Sequence, residues 1–244
     1  MPTVLYVRHG RSSANTAGTL AGWMPGVFLD EAGASQAEAV GRRIAGAGLT
    51  VSRIVSSPLD RCVQTGDRIA AALGPVPRSI HEGLGECRYG AWTGRALAEL
   101  ARDELWRVVQ DRPSEAAFPS SAAYPGESLV QMQSRALRAV RETDDHVANE
   151  HGPHAVWVAI SHGDVIKSLL AHAVGAHLDD FQRIQVDPGS VSVVHYTSRR
   201  PIVLRVNDTG GDLGGLRPAE AAVTAAGDAV VGGGAGSVGI GSNP

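Results

Sequence analysis

The chain has almost no lysine. Lys167 is the only one, so 22 basic residues minus 1 leaves 21 arginines. Cysteine is scarce too. Cys62 and Cys87 match neither a disulfide framework nor a zinc-ligand spacing, which excludes a stapled secreted scaffold and points to a reducing compartment. No apolar run approaches the length of a membrane span. The opening Met1-Pro2-Thr3 leads straight into an apolar run, with no basic n-region and no cleavable signal. Together these absences make the cytoplasm the expected location. A formal net charge of -3 gives no reason to expect nucleic acid or an anionic membrane surface as a partner. Metalloenzyme spacings such as His-Glu-x-x-His are missing as well. His146, His151 and His154 fall at a helix end and loop, and His172 and His177 flank a helix terminus, where the dipole favours histidine. No metal site is expected.

What is present suits one well-packed soluble domain: 244 residues, of which 43% are hydrophobic and 19% charged. The excess of arginine over lysine is compatible with bidentate recognition of phosphate, although codon bias towards Arg, Ala and Gly gives the same composition. Val4-Leu5-Tyr6-Val7 reads as a buried strand that stops at Arg8-His9-Gly10. Residues 29–48 read as a helix capped by Asp30. A second strand, 53–56, leads into Ser57-Pro58, which predicts a serine cap and a proline-opened helix over 59–73. A third strand is expected within 75–80. Residues 82–126 are the least regular, with helical pieces over 97–109 and a Pro/Ser/Ala stretch over 112–125 that is expected to lid a pocket. A long amphipathic helix over 127–149 precedes a strand over 155–160, which ends at Ser161-His162-Gly163 and feeds a helix over 164–174. Strands over 191–196 and 202–206 close the pattern. Strands alternating with helices predict an α/β fold, a three-layer α/β/α sandwich around a mostly parallel sheet. Residues 1–209 form the expected domain. From Gly210 to the end the chain is rich in Gly and Ala and poor in large apolar residues, so 210–244 is expected to be a disordered tail.

Two strands therefore end in histidine followed by glycine, at Arg8-His9-Gly10 and Ser161-His162-Gly163, and Arg61 sits one turn into the helix after a third strand. Ligands of open α/β sheets bind outside the carboxyl ends of the strands. If the three strands are neighbours, two arginines and two histidines converge on one crevice suited to a dianion. Arg-His-Gly alone is a weak signal, since this composition yields it by chance about 0.1 times per chain. The second strand-His-Gly unit is what sharpens it.

Several motifs in order resemble the histidine phosphatase superfamily, which includes the phosphoglycerate mutases. They are Arg8-His9-Gly10-Arg11-Ser12-Ser13-Ala14-Asn15, Leu20-Ala21-Gly22-Trp23, Leu29-Asp30-Glu31-Ala32-Gly33 and Ser56-Ser57-Pro58-Leu59-Asp60-Arg61-Cys62-Val63-Gln64-Thr65. Glu86-Cys87-Arg88-Tyr89-Gly90-Ala91-Trp92-Thr93-Gly94, Pro125-Gly126-Glu127-Ser128 and Ser161-His162-Gly163 complete the set. The resemblance runs from about Val4 to Val206 and is nearest to an actinobacterial branch of phosphomutases and phosphatases. It implies a phosphoglycerate mutase-like fold, with His9 as the nucleophile that forms a phosphohistidine. Arg8, Arg61 and His162 are implied to bind the phosphoryl oxygens, with Asn15 and Gly163 in the same pocket, and Glu86 to act as general acid and base. Glu82, four residues earlier, competes for that last role, but Tyr89-Gly90 follows Glu86 in the family's manner. No cofactor is implied, because the arginines supply the positive charge. Relatives are often dimers, so a homodimer is an expectation.

Two activities stay open, hydrolysis of phosphomonoesters of small metabolites and a mutase reaction, alongside a phospho-ligand module without turnover. A mutase must hold a second anionic group. Here Cys87 stands where a basic residue is expected after the glutamate, and only scattered Arg102, Arg107 and Arg112 lie in the middle segment. Both departures favour hydrolysis. Cys62 and Cys87 follow Arg61 and Glu86 directly, which places a thiol near the pocket in a core-filling role.

Overall fold

A computed structural model describes residues 1–210 and Gly232; the expected tail falls outside the described residues, apart from Gly210 and Gly232. Six strands form one sheet: β1 Thr3–Arg8, β2 Val51–Ser56, β3 Arg78–Ile80, β4 Val156–Ser161, β5 Val191–Tyr196 and β6 Pro201–Asp208, in the order β3-β2-β4-β1-β5-β6. The first four in that order run parallel, and β5 and β6 add an antiparallel pair on the β1 side. The mostly parallel sheet expected from the alternation of elements is what the chain forms. β3 is shorter than the run over 75–80 predicts. Pro77 has no N–H to give to a ladder, and only its carbonyl is used, by Ile54 N at 2.9 Å.

Helices cover both faces. They are α1 Ser13–Thr16, α2 Glu31–Gly46, α3 Asp60–Leu73, α4 Leu97–Leu100, α5 Glu104–Asp111, α6 Leu129–His151 and α7 Gly163–Ala173. Alternation along β1 sorts the core into two layers. Leu5 and Val7 join Val40 and Ile44 of α2 and Ile69 of α3. Val4 and Tyr6 face the other way, with Met132, Ala136 and Val140 of α6 and Ile166 and Leu170 of α7. Truncating a core leucine such as Leu129, which has no exposure, would cost about 2–5 kcal/mol.

Local signals explain the helix starts. Asp30 caps α2 by accepting from Gly33 N, and Ser128 and Gln131 form a reciprocal capping box on α6. The serine-proline entry to α3 is different from the expected one. The cap position falls to Leu59, which makes no side-chain cap bond, and the helix begins at Asp60. Ser57 is instead turned to the strand ends, for the reason given below.

Candidate active site

The order β2-β4-β1 makes the three motif-bearing strands neighbours, all parallel. Arg8 lies in register with Ser161, and Ser56 with Ile160. The backbone continues the pairing past the strand ends: His9 N donates to Ser161 O at 3.0 Å, and Ser57 N to Ile160 O at 2.9 Å. His9, His162, Ser57 and Arg61 are thereby delivered to one crevice at the carboxyl edge of the sheet. The loop after β1 must pass close to α2, where a Cβ on Gly10 would collide with the Gly33 carbonyl; only glycine fits there.

His9 is buried, and its Nδ1 lies 2.7 Å from its neighbour Gly10's carbonyl. A carbonyl can only accept, so Nδ1 carries the proton and Nε2 keeps its lone pair. Arg61 Nε donates to that lone pair at 3.3 Å. Arg61 Nη2 donates to Gly22 O at 2.9 Å and meets His162 Nδ1 at 3.2 Å. His162 Nε2 then lies 2.8 Å from Ser57 Oγ, which is where the expected capping serine has gone. The two imidazoles stand edge to face, with ring centres 5.2 Å apart. Arg8 is fully buried and anchored by Nη1 to Val186 O at 2.8 Å.

Burial and crowded positive charge set the protonation states. Desolvation, then the charges of Arg61 and Arg8, hold the His9 pKa well below the ordinary imidazole value. His162 is lowered by desolvation, then by Arg61 and His9. Desolvation also pulls Arg8 down to about 10, which leaves it a cation at neutral pH. Arg61 Nη1 is buried with no hydrogen-bond partner among the described residues, a position an anionic oxygen would satisfy.

Glu86 reaches the same crevice from the irregular middle segment. It is 4% exposed, its Oε2 lies 4.0 Å from His162 Nδ1, and its Oε1 accepts from Cys87 N at 3.0 Å. Desolvation, then the charge of Asp164, pushes its pKa up to about 8, so the carboxyl is largely protonated at neutral pH. Glu82 lies outside, pairing at 3.7 Å with Arg88 while its side chain is 79% exposed. The loop around Glu86 is tied down from two sides. Trp23 Nε1 donates to the Glu86 carbonyl at 2.5 Å, and Arg135 donates to the carbonyls of Gly83, Gly85 and Glu86 at 2.8–2.9 Å. Arg135 is held in turn by Glu127, at 2.5 and 3.0 Å. That gives the Pro125-Gly126-Glu127 motif a physical purpose.

Asn15 completes a capping box with Ser12 on α1, its Oδ1 accepting from Ser12 N at 3.0 Å and Ser12 Oγ at 2.8 Å. Gly163 is the first residue of α7, directly after His162, where helix N–H groups lack intrahelical partners. Cys62 does lie beside the pocket, its Sγ 3.4 Å from His162 Nε2, but burial raises the thiol to about 12. Phe118, in the Pro/Ser/Ala stretch, packs edge-on against Tyr89 and Trp92 and so braces the loop that follows Glu86. Arg102, Arg107 and Arg112 are all exposed. Among the described residues no cluster of His, Cys, Asp or Glu is arranged to hold a metal ion, and no helix is long and apolar enough to cross a membrane.

Three residues of the site escape a sequence reading. Ser57 reads as a helix cap, Arg135 as one more arginine of an amphipathic helix, and Asp164 as an ordinary acidic residue in a first turn. Only the last carried a signal, a charge next to His162-Gly163 at the head of an apolar helix.

Comparison with known proteins gives consistent results. The model of the histidine phosphatase superfamily (branch 1) matches residues 4–209. A 2,3-bisphosphoglycerate-dependent phosphoglycerate mutase of Caulobacter vibrioides (strain NA1000 / CB15N) is 29% identical, over 80% of this chain and 89% of that protein. Phosphoserine phosphatase 1 of Hydrogenobacter thermophilus is 28% identical, over 86% of this chain and 93% of that protein. Among solved structures, Bacillus stearothermophilus YhfR superposes with a TM-score of 0.75 at 24% identity, covering 85% of this chain and 98% of that one.

Proposed function

The chain belongs to the histidine phosphatase superfamily, and within it we propose that residues 1–209 form a metal-independent phosphatase acting on phosphomonoesters of small metabolites. The observation that carries this reading is the His9 tautomer: Nδ1–H is fixed on the Gly10 carbonyl, and the Nε2 lone pair opens beside Arg61. A neutral, oriented imidazole between two guanidinium groups is what in-line attack on a phosphate dianion requires.

The reaction follows from the geometry. The substrate phosphate binds against Arg8, Arg61 and His162, with the unsatisfied Arg61 Nη1 taking one oxygen and Asn15 and the Gly163 N–H bordering the pocket. His9 Nε2 attacks phosphorus as the bond to the ester oxygen breaks. Glu86, protonated at neutral pH, gives its proton to that oxygen, and the alcohol leaves. Water then attacks the phosphohistidine, and the Glu86 carboxylate takes its proton. The P–N bond breaks, the lone pair returns to Nε2, and inorganic phosphate departs with Glu86 protonated again. Positive charge comes from the arginines throughout.

A mutase reaction is the second reading, since relatives at 25–29% identity include phosphoglycerate mutases. Retaining a bisphosphorylated intermediate needs cationic contacts for a second anion. Arg102, Arg107 and Arg112 point to solvent, and Cys87 is a buried neutral thiol, which favours hydrolysis. A similar phosphoserine phosphatase supports the same choice.

The deciding experiment measures phosphate release from a panel of phosphomonoesters, 3-phosphoglycerate included, by wild type and His9→Ala without added metal. Hydrolysis lost in the variant, with an acid-labile phosphoprotein trapped in wild type, is the expected result. No release from any ester, with isomerisation of 3-phosphoglycerate in a coupled assay, would replace hydrolysis by the mutase reading.

A further inference from the structure

The first turn of α7 holds a carboxylate whose charge helps to raise Glu86 but which the mechanism above gives no contact with the substrate. Asp164 follows Gly163 and has no solvent exposure. Its Oδ2 accepts from Tyr89 Oη at 2.7 Å and from the backbone N–H of Gly232 at 3.0 Å. Its Oδ1 is buried without a hydrogen-bond partner among the described residues. Nor does Asp164 form an ion pair among them. Lys167, one turn along, directs its Nζ to Gln182 Oε1 at 3.0 Å instead. The helix N-terminus offsets part of the negative charge, but a buried carboxylate is costly unless its lone pairs are met. One oxygen here is not.

The donor that Asp164 does hold on its other oxygen shows what the carboxylate can take. The Asp164 charge acts on both Arg8 and Glu86. Gly232 spans the interval from Asp164 to Arg8: its N–H is on the carboxylate, and its carbonyl lies 3.4 Å from Arg8 Nη2. A single residue thus places an acceptor at the arginine and an N–H donor at the carboxylate. A phosphomonoester with a nitrogen on its alcohol has the same polarity, an acceptor for the arginine and an N–H donor for the carboxylate.

We propose that Asp164 is a specificity-determining residue that selects phosphomonoesters of amino alcohols, its carboxylate taking the ammonium of the leaving group where the Gly232 N–H now lies. This rests on the phosphatase reading. A charge-assisted N–H···O bond in a dry site is among the strongest available. A substrate without the donor leaves the buried carboxylate unmet, a mismatch that sites use for large discrimination. A leaving group bearing a second anion meets like charge instead, so the same residue disfavours phosphoglycerate-type substrates.

The test uses the full chain and Asp164→Asn, which keeps an acceptor for Tyr89 and removes the charge. Values of kcat/KM are measured for 2-aminoethyl phosphate, ethyl phosphate and phosphoglycolate. Wild type is expected to rank them in that order. In Asp164→Asn the preference for aminoethyl over ethyl phosphate should fall at least 10-fold, and phosphoglycolate should improve. An unchanged ratio, or a wild type that prefers phosphoglycolate, overturns the assignment; if the variant does not fold, the wild-type order decides alone. Equilibrium binding of the same esters to His9→Ala, with and without Asp164→Asn, separates the two claims. Absence of all turnover sinks the phosphatase reading, while the binding ratio still judges Asp164.

Discussion

Replacing Glu86 with glutamine tests the proposal that its carboxyl supplies the proton the leaving oxygen needs. At a pKa of about 8, roughly nine molecules in ten carry that proton at pH 7. At the ordinary value of 4.5, roughly three in a thousand would. Burial, with the Asp164 charge, thus keeps the carboxyl protonated at neutral pH. Glutamine keeps the shape and can still accept from Cys87 N, as Glu86 does at 3.0 Å, but it has no proton to give. The cost must then depend on the alcohol. For an alkyl phosphate, kcat/KM should fall about 10²–10⁴-fold, the usual worth of a placed general acid. For p-nitrophenyl phosphate, whose phenolate leaves unaided, the fall should be under about 10-fold. Using kcat/KM confines the comparison to formation of the phosphohistidine, before Glu86 serves as base. The pH profile follows with a definite sign. Glu86 is raised, so its proton is lost as pH rises through about 8, and alkyl turnover should decline there in wild type and not in the variant. Equal losses for both leaving groups would refute proton donation and leave Glu86 as a wall of the pocket.

Three further outcomes are expected. Arg135→Gln removes the clamp on the Gly83, Gly85 and Glu86 carbonyls and strands Glu127, whose side chain is 10% exposed; urea unfolding should show a loss of about 3–5 kcal/mol, and a loss under about 1 kcal/mol would mean that Trp23 alone holds the loop. A raised Glu86 stabilises the fold at low pH and less so as pH climbs from 4.5 towards 8, so wild-type stability relative to Glu86→Gln should fall by about 1.4 kcal/mol per pH unit between pH 5 and 7. A pH-independent difference would contradict the shift. The Cys62 thiol, raised to about 12 by burial, should resist iodoacetamide at pH 8 in the folded protein and react fully in denaturant.

The strands and long helices were legible because each obeys one period. Val4 to Val7 is a continuous apolar run because β1 is covered on both faces, and the Asp30 cap stands where the helix begins. The convergence of His9, Arg61 and His162 was readable only as a condition, since sequence order does not reveal that β4 lies between β2 and β1. What failed did so for local reasons with distant causes. Ser57-Pro58 has the composition of a helix entry, but Ser57 is held by His162, 105 residues away. Arg135 stabilises the Glu86 loop from a helix 49 residues on, and no spacing rule connects them. Asp164 looks like a first-turn acid, and its importance lies in being buried, which is a property of the packed layers and not of the segment.

Desolvation is the largest cause of both protonation states that the proposed chemistry needs, a neutral nucleophile and a protonated carboxyl, with charge from Arg61 and Arg8 adding to it at His9 and from Asp164 at Glu86, and this balance has a consequence for binding. His9 and His162 are neutral because they are buried beside Arg61 and Arg8. A dianion changes that balance, since it offsets the guanidinium charges and favours the charged form of an adjacent imidazole. The proton cannot go to His9 without blocking the attacking lone pair. It can go to His162, whose Nδ1 accepts from Arg61 Nη2 at 3.2 Å; once Arg61 turns to a phosphoryl oxygen, that nitrogen is free to take a proton and donate it to the anion. Sulfate is a suitable probe because it does not titrate near neutrality. Its binding at pH 7 should take up a fraction of a proton, seen as an apparent enthalpy that varies with the ionisation enthalpy of the buffer, and its affinity should rise as pH falls. In His162→Asn the uptake should fall to no more than about a tenth of a proton, the share that Glu86 at a pKa of about 8 can still take. If a larger uptake persists there, His9 is the group protonated, the bound dianion blocks the lone pair that should attack it, and the assignment of His9 as nucleophile fails on its own electrostatics.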